Sequence, residues 1–271
     1  MDASLVTALG LGLAVGSILA LTGAGGAILA VPLLVFGMGL TVAEAAPVAL
    51  LAVAFAALIG ALLGLRTGVV RYKAAMVMSA FGLCLSPIGL WAASQIPNRP
   101  LAVVFSCVLL YVSVNMFRQA RRELLGFSSD ESCGPPCMLD QTRGKLTWTL
   151  PCFRAMVASG MAAGFLSGLL GVGGGFVIVP ALKKVTNLPV RSIIATSLGV
   201  ITLVSFGGVI GATLSGAMNW EIALPFAAGA FTGMLTGRSI GERLKGPRLQ
   251  QSFAVFAFVV AVSMMLKAAF N

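Results

Sequence analysis

The sequence predicts an all-α polytopic membrane protein built from two inverted-topology repeats, and three observations lead to this prediction. Hydrophobic residues make up 58% of the 271 residues and charged residues only 10%, with a mean hydropathy of +1.01, which leaves too little polar surface for a soluble protein of this size. The chain also matches itself at a constant offset of 148 residues. Equivalent loops of the two halves carry opposite charge bias, as two repeats of opposite orientation require.

In chain order, each half reads as a broken hairpin followed by three apolar spans, each close to the roughly 20 residues that cross a bilayer as a helix. The first half has its hairpin at residues 5–36 and its spans at 44–65, 74–94 and 101–117. The second has its hairpin at 155–182 and its spans at 192–214, 222–240 and 251–269. The first membrane repeat therefore covers residues 1–122, a cytoplasmic connecting loop covers 123–153, and the second membrane repeat covers 154–271. The first apolar run lacks a basic leading segment and a cleavage site, so we expect it to be retained as a span.

Glycine and proline interrupt both hairpins at equivalent positions. Residues 169–182 read LLGVGGGFVIVPAL, and residues 21–34 read LTGAGGAILAVPLL. A glycine inside a helix costs about 1 kcal/mol relative to alanine, and a proline has no backbone N–H to donate, so each hairpin should consist of two apolar arms joined by exposed backbone. In hydrocarbon such backbone is tolerated only inside protein or beside a watery cavity. The tip glycines are Gly23, Gly25 and Gly26 in the first half and Gly171, Gly173, Gly174 and Gly175 in the second.

The repeat extends well beyond the hairpins and needs no gap. Small-residue matches are common between membrane spans, but here the polar loops align as well. We therefore read the chain as a duplication. Matching pairs are Gly12 with Gly160, Leu50 with Leu198, Gly60 with Gly208, Gly68 with Gly216, and Gly89 with Gly237.

Loop charge orients the two repeats, because Lys and Arg accumulate in short loops on the cytoplasmic side. In the first half, Arg66, Arg71 and Lys73 mark the loop after the second element as cytoplasmic. The equivalent loop of the second half, residues 215–221, has no basic residue, and the basic residues follow the hairpin instead, at positions 183–191. We therefore expect re-entrant hairpins, which return to the side they entered from, and termini on the extracytoplasmic side.

Two inverted re-entrant hairpins would bring their glycine tips near the bilayer midplane, where many secondary transporters bind their substrates. The free N–H groups at the start of each second arm, with the positive end of the helix dipole behind them, favour an anion. We therefore expect the tip glycines to line an anion site. The alternative is close helix packing through small residues.

Hydroxyl groups on the span after the second hairpin are further candidate substrate ligands. Thr196 and Ser197 lie one turn inside this span, and Thr202 and Ser205 lie deeper. The first half has only Val and Ala at the four equivalent positions, which indicates that the second half contributes more of the substrate contacts. The alternative for each hydroxyl is a hydrogen bond to its own helix.

The residue types that the chain lacks narrow its function. There is no histidine, which removes histidine metal ligands, general bases and proton relays together, so we expect neither an enzyme nor a metal site. The glycine clusters lack the ending and the spacing of nucleotide-binding loops, and no cofactor is expected. The net charge of +10 arises in short loops beside spans, so it indicates topology and not nucleic-acid binding.

Three cysteines, Cys133, Cys137 and Cys152, share the connecting loop or its far edge. Three thiolates could hold a soft metal ion, but the loop has no histidine and no fourth cysteine, so we expect an ordinary linker. In the cytoplasm these thiols should stay reduced.

G-x-G-G motifs at 23–26 and 171–174, each followed by a proline, combine with ATSL at 195–198 and G-x-x-x-G-x-x-x-S-G at 207–216. This combination resembles the TauE/SafE sulfite exporter family over nearly the whole chain outside the connecting loop. The first repeat differs in having Ala27 in place of the last tip glycine and APVAL at 46–50 in place of an ATSL-like segment. The resemblance implies transport of sulfur-containing anions, such as sulfite, sulfoacetate or other organosulfonates, across a bacterial inner membrane.

We therefore expect a secondary transporter, and more specifically an exporter, that works by alternating access about midplane glycine tips. The alternatives are a passive anion channel and a membrane scaffold that does not transport. The expected partners are a small anionic substrate and the lipid bilayer, without nucleic acid, and both termini should be periplasmic. A coupling ion and a homodimer are compatible with the sequence.

Overall fold

Each predicted span forms one long helix, and both predicted hairpins are interrupted where their glycines fall. The computed structural model describes residues 3–125, 137, 139–140, 145–146, 149–244 and 247–270. The first half contains α1 (Ala3–Thr22), a 3₁₀ helix (Gly23–Leu29), α2 (Ala30–Gly37), α3 (Val42–Arg66), α4 (Tyr72–Gln95) and α5 (Asn98–Leu124). The second contains α6 (Leu150–Leu170), α7 (Gly175–Val185), α8 (Val190–Leu214), α9 (Trp220–Leu244) and α10 (Pro247–Phe270). In the connecting loop, Leu139–Asp140 pairs antiparallel with Lys145–Leu146.

Seven helices in the described part of the chain are long and apolar enough to cross a membrane, so the all-α membrane fold is confirmed. Helices α3 and α8 bury 72% and 67% of their span residues inside the protein, whereas α1 and α10 bury 28% each. Helices α3 and α8 therefore form the centre of the bundle. Helices α1 and α10 present exposed apolar side chains, such as Val6 and Val259, to the region that lipid would occupy.

The helix ends follow ordinary capping rules. At the start of α3, the Glu44 N–H donates to the Thr41 hydroxyl at 3.3 Å, and the Thr41 N–H donates to the Glu44 carboxylate at 2.9 Å. This capping box confirms that Glu44 stabilises a helix start. Helices α3 and α8 both end with a glycine of positive φ two residues beyond, Gly68 at 69° and Gly216 at 70°, so equivalent helices stop in the same way. Helix α6 begins at Leu150, five residues before the predicted start, because the Thr149 hydroxyl caps it.

Equivalent helices of the two halves make equivalent contacts. Helix α1 packs on α9, and their equivalents at the 148-residue offset, α6 and α4, pack on each other. A Cβ at Gly12 would overlap the Phe226 carbonyl oxygen, and a Cβ at Gly160 would lie 2.5 Å from the Met78 carbonyl oxygen. The repeat detected in the sequence is therefore also a repeat of backbone contacts, in which the long arm of each hairpin packs against a helix of the other half.

At the centre, α3 and α8 pack against each other in antiparallel orientation. Gly60 of α3 meets Leu198 of α8, and Gly208 of α8 meets Leu50 of α3, with Cβ positions 2.6 and 2.9 Å from the leucine methyl groups. Since the numbers along one helix rise as those along the other fall, the two chains run in opposite directions. These two contacts are also equivalent under the 148-residue offset.

The two ends of the bundle differ in charge. At one end the Arg71 N–H donates to the Thr196 hydroxyl oxygen at 3.0 Å, and at the other the Val42 N–H donates to the Asn98 side-chain oxygen at 3.0 Å. We call the first the basic end, because most of the described basic side chains lie in its loops and helix ends. These residues are Arg66, Arg71, Lys73, Arg118, Arg121, Arg122, Arg154, Lys183, Lys184 and Arg191.

Cys137 and Cys152 form a disulfide bond with their Cα atoms 5.0 Å apart, so the expectation that these thiols are reduced is wrong for this structure. The Cys137 N–H donates to the Val185 carbonyl oxygen at 3.0 Å, which holds the connecting loop against the end of α7. Cys152 lies beside it in the first turn of α6, within the distance that a disulfide can bridge. Cys133 lies outside the described residues.

Replacing Gly164 by alanine should destabilise the protein. A Cβ at this position would overlap the Gly82 backbone of α4, and overpacking of this kind costs about 1–3 kcal/mol. Thermal unfolding and folded yield of the purified variant measure the effect. The matched control is Gly10→Ala on α1, where no heavy atom lies within 4 Å of the added Cβ and alanine is the better helix former. Equal unfolding temperatures for the two variants would contradict the packing described above.

Candidate functional site

The second hairpin turns through four residues that we call the tip turn, residues 171–174. Helix α6 ends as the Gly171 N–H donates to the Ser167 carbonyl oxygen at 2.9 Å, and α7 begins at Gly175. Gly171, Gly173 and Gly174 have φ angles of 69°, 70° and 67°, a conformation that only glycine adopts without strain. The glycines that interrupt the second hairpin are therefore required by the backbone conformation of the turn.

The three glycines of the tip turn lie against their neighbours with no room for a side chain. A Cβ at Gly171 would overlap Ala46 of α3. A Cβ at Gly174 would lie 2.6 Å from the Ala163 carbonyl oxygen of α6, and one at Gly173 would lie 2.8 Å from the Ser205 hydroxyl oxygen of α8. Glycine is thus required here for two reasons: the φ angles are positive, and neighbouring atoms lie too close for a Cβ.

The start of α7 presents hydrogen-bond donors inside the protein. Its backbone hydrogen bonds begin with the N–H groups of Val177 and Ile178, which both donate to the Gly174 carbonyl oxygen at 3.1 and 3.2 Å. The N–H groups of the residues just before Val177 belong to the start of α7, and the first N–H groups of a helix have no acceptor within that helix. Residues 171–176 are all buried, so these donors and the positive end of the helix dipole form an electropositive position away from bulk water.

The first hairpin has a different tip. Gly23–Leu29 form a 3₁₀ helix, so the open backbone predicted at this tip is wrong, and the chain keeps short-range hydrogen bonds through the turn. Gly26 packs on α1, with its Cβ position 2.6 Å from the Leu19 backbone nitrogen. The surroundings of Gly23 and Gly25 lie outside the described part of the structure. Ala27 occupies the place of Gly175, which removes one of the glycines that the second tip uses.

A cavity of about 1320 Å³ lies between the two hairpins, the central helices and α5. It extends from the basic end to Gly60, Leu198 and Met234, near the middle of the bundle, and it also reaches Gly175 and Phe176 at the start of α7. Its depth along α8, from Arg191 to Leu198, is about 10 Å at 1.5 Å per residue. Ligand pockets usually measure about 300–1,000 Å³, so this cavity is larger than a small anion fills.

Charged and polar groups line the cavity toward the basic end. Lys183, Lys184 and Arg191 lie near its mouth, and α5 contributes Asn115 and Gln119. A mouth lined by one sign of charge raises the local concentration of oppositely charged solutes, so the cavity favours anions. The α5 residues were not among the predicted site residues. Asn115 gave a signal, since it is polar within an otherwise apolar span.

The predicted site residues divide into those that reach the cavity and those that do not. Gly175 lines it, whereas Gly171, Gly173 and Gly174 lie packed in the tip turn beside it. Thr196 accepts the Arg71 N–H, and the Ser197 hydroxyl donates to the Ile194 carbonyl oxygen at 2.8 Å. Neither hydroxyl lines the cavity in this structure, and their role as substrate ligands stays a prediction. Among the described residues, no group of three or more Cys, Asp or Glu side chains lies close enough together to hold a metal ion.

Cysteine labelling can test whether the cavity is open to water. Ile194 lines the cavity, whereas Ala46, 148 residues earlier, is 3% exposed and lies under Gly171. In a background with Cys84, Cys107 and Cys133 replaced by serine, a water-soluble maleimide should modify Ile194→Cys readily and Ala46→Cys hardly at all. Equal reactivity at the two positions, measured by mass spectrometry of the folded protein, would contradict a water-filled cavity at the basic end.

Comparison with known proteins gives the family. The sequence model of the family described as sulfite exporter TauE/SafE matches residues 8–264. The chain is 25% identical over 270 residues to the probable membrane transporter protein YunE of Bacillus subtilis, covering 96% of this chain and 97% of YunE. It is 29% identical over 266 residues to a probable membrane transporter protein of Xylella fastidiosa strain Temecula1, covering 96% of this chain and 94% of that protein.

No solved structure matches the chain. The family match nevertheless spans both hairpins, both tips and all the helices that line the cavity, so it applies to the site as well as to the fold. Since the matched residues cover nearly the whole chain, this multi-pass membrane protein belongs to the TauE/SafE sulfite exporter family, as a membrane transporter of that type.

Proposed function

We propose that the protein is a secondary transporter that exports small sulfur-containing oxyanions, such as sulfite, sulfoacetate or another organosulfonate, by alternating access. The observation that carries this proposal is the cavity itself, which runs from a basic mouth to the start of α7, where unpaired N–H groups meet its wall. An anion attracted by the mouth would find backbone donors and a helix dipole at the inner end of its path. The tip glycines of both hairpins and the hydroxyls of Thr196 and Ser197 are the proposed substrate-binding groups.

Alternating access requires a second conformation, and the repeat supplies a route to it. We infer that the two halves are inverted repeats, and the antiparallel packing of the equivalent helices α3 and α8 supports this. If the halves exchanged their conformations, the cavity would open at the other end. The tip turn and its neighbours would then be the moving boundary between the two sides.

A carrier fits the packing better than a channel does. The residues that line the cavity belong to the basic end and the middle of the bundle. Beyond them Leu50, Val53 and Ile201 fill the space between α3 and α8, and each is fully buried at 0% exposure. A passive channel would need a continuous path through this packed region. The chain has no ATP-binding motif, so transport would draw on a coupling ion or on the gradient of the substrate.

Charge asymmetry supports a cytoplasmic basic end and periplasmic termini in a bacterial inner membrane. The cavity would then face the cytoplasm, as the loading state of an exporter should. An impermeant maleimide should therefore modify Ile194→Cys in inverted membrane vesicles but not in intact cells. Modification in intact cells and protection in inverted vesicles would reverse the proposed orientation.

Flux measurements can separate the proposed function from its two alternatives. In proteoliposomes preloaded with unlabelled sulfite, uptake of labelled sulfite should saturate with concentration and should be accelerated by the internal substrate, because a carrier returns faster when loaded. Flux that rises without saturation would indicate a passive anion channel. A protein that moves none of sulfite, methanesulfonate, sulfoacetate, thiosulfate or sulfate would be a scaffold, and the transport proposal would then be wrong.

The tip turn can be tested with a pair of matched glycines. Gly173→Ala should weaken sulfite affinity by about tenfold or more, which corresponds to about 1.4 kcal/mol, because a methyl group would fill the place where backbone approaches the anion. The control is Gly216→Ala, which has the same φ of 70° but no atom within 4 Å of the added Cβ. Both variants carry the same backbone strain, so affinity measured on the folded fraction isolates the local contact. Equal affinities would mean that the tip turn serves packing only.

A further inference from the structure

Among the residues that the structure describes, three buried serine hydroxyl groups have no hydrogen-bond partner. They belong to Ser86 of α4, Ser167 of α6 and Ser205 of α8, each at most 1% exposed. Other buried serines behave differently: the Ser79 hydroxyl donates to the Ala75 carbonyl oxygen at 2.6 Å. Buried polar groups without partners are rare and call for an explanation such as an absent ligand. We call these three residues the serine cluster.

The serine cluster lies beside the tip turn, on three of the helices that pack around it. The Ser205 hydroxyl points at Gly173, whose Cβ position would lie 2.8 Å from it. The Ser86 hydroxyl lies 3.6 Å from the Cβ position of Gly208, one turn beyond Ser205 on α8. Ser167 lies in the last turn of α6, and its carbonyl oxygen accepts the Gly171 N–H. Helices α4, α6 and α8 therefore each bring one unpaired hydroxyl to the region where α7 begins with its own unpaired N–H groups.

The repeat relates the serine cluster to the floor of the cavity. Leu19 and Met234, which line the cavity floor, are the equivalents of Ser167 and Ser86 at the 148-residue offset. The local packing is also equivalent. Gly60 meets the side chains of Leu198 and Met234, whereas Gly208 meets those of Leu50 and Ser86. The serine cluster therefore occupies, on the far side of the tip turn, the position that the cavity floor occupies on the near side.

We propose that the serine cluster, the tip turn and the start of α7 form a second anion-binding position, which becomes the floor of the cavity that opens at the opposite end. This proposal rests on the proposed transport function. In the present conformation the three hydroxyl groups are buried, although the start of α7 also reaches the existing cavity. When the halves exchange conformations, Ser86 and Ser167 take the place that Met234 and Leu19 have now, so the anion meets hydroxyl donors on one side of the cycle and apolar groups on the other.

Hydroxyl and N–H donors without a cation favour a singly charged anion over a doubly charged one. The side chains that surround the tip turn are Ala46, Val53, Ala163, Ile201 and Ser205, and none of them carries a charge. Hydroxyl and N–H dipoles can replace part of the hydration of an anion, but the cost of removing an ion from water rises with the square of its charge. A site without a cation therefore accepts a singly charged oxyanion and rejects a dianion such as sulfate. Of the substrates proposed above, hydrogensulfite and organosulfonates without a second charge meet this requirement, whereas sulfoacetate, with its additional carboxylate, does not.

Binding to the full-length protein in detergent can test this proposal with two probes, methanesulfonate as the monoanion and sulfate as the dianion. Calorimetry should detect methanesulfonate binding and little or no sulfate binding. Ser205→Ala and Ser86→Ala should each weaken methanesulfonate affinity by about tenfold or more, the loss expected for one hydrogen bond to a charged group. The control Ser79→Ala, on the same helix as Ser86, should bind like the wild type because its hydroxyl is already paired.

Thermal unfolding without ligand provides the second measurement. Alanine at Ser86, Ser167 or Ser205 removes a buried hydroxyl that has no partner, so the unfolding temperature should stay the same or rise while the stabilisation by methanesulfonate falls. Unchanged affinity in all three variants, with wild-type binding intact, would overturn the serine site and leave the transport proposal standing. Sulfate binding as tight as that of methanesulfonate would overturn the charge selectivity. If the wild type bound neither probe and transported no oxyanion, both proposals would be wrong.

Discussion

Contact between helix backbones at glycines is the interaction on which the rest of this structure depends. In lipid the hydrophobic effect does not drive helices together, so close packing through small residues must supply the attraction between them. Gly12 and Gly16 bring α1 onto α9, and Gly160 and Gly164 bring α6 onto α4. Each pair ties the long arm of a hairpin to the opposite half. The short arms of the hairpins therefore lie between the two halves. The tip turn is enclosed by protein there, which is where backbone N–H groups outside regular helix are tolerated in a membrane.

Much of this architecture could be predicted from the sequence, because it follows from composition and from the repeat. Helix ends differ from the predicted bounds by at most seven residues, at the end of α5 (predicted at 117, observed at Leu124), and the second hairpin is interrupted where the glycine cluster predicted, at Gly173 and Gly174. The cavity could not be predicted, since it depends on how α5 and the central helices meet. The disulfide could not be predicted either: Cys137 reaches Cys152 only because the Val185 carbonyl oxygen holds the connecting loop.

The two tips show how a duplicated motif can diverge in chemistry while its contacts are kept. In the first half the 3₁₀ helix Gly23–Leu29 keeps the chain helical through the tip. In the second half the turn leaves the first N–H groups of α7 unpaired, and Ser205 lies beside it where the first half has Ala57. Buried donors are therefore concentrated at the second tip, and their role as substrate ligands stays a prediction. The first hairpin, by contrast, contributes to the cavity lining through Leu19 and Thr22 at the end of α1.

The large cavity and the close-packed tip turn suit two different tasks of the proposed anion transporter, which are gathering anions and selecting among them. A cavity of about 1320 Å³ holds a small oxyanion together with its water, so the mouth formed by Lys183, Lys184 and Arg191 can gather anions without distinguishing closely among them. Under the proposed function, the anion loses its water only at the tip turn, where the Ser205 hydroxyl lies beside Gly173. Discrimination by shape and charge would then belong to the start of α7 and its neighbours, while the basic end would set how fast anions arrive. Because the two regions share few residues, a substitution at the tip turn would alter the selectivity without altering the charge that attracts anions to the cavity.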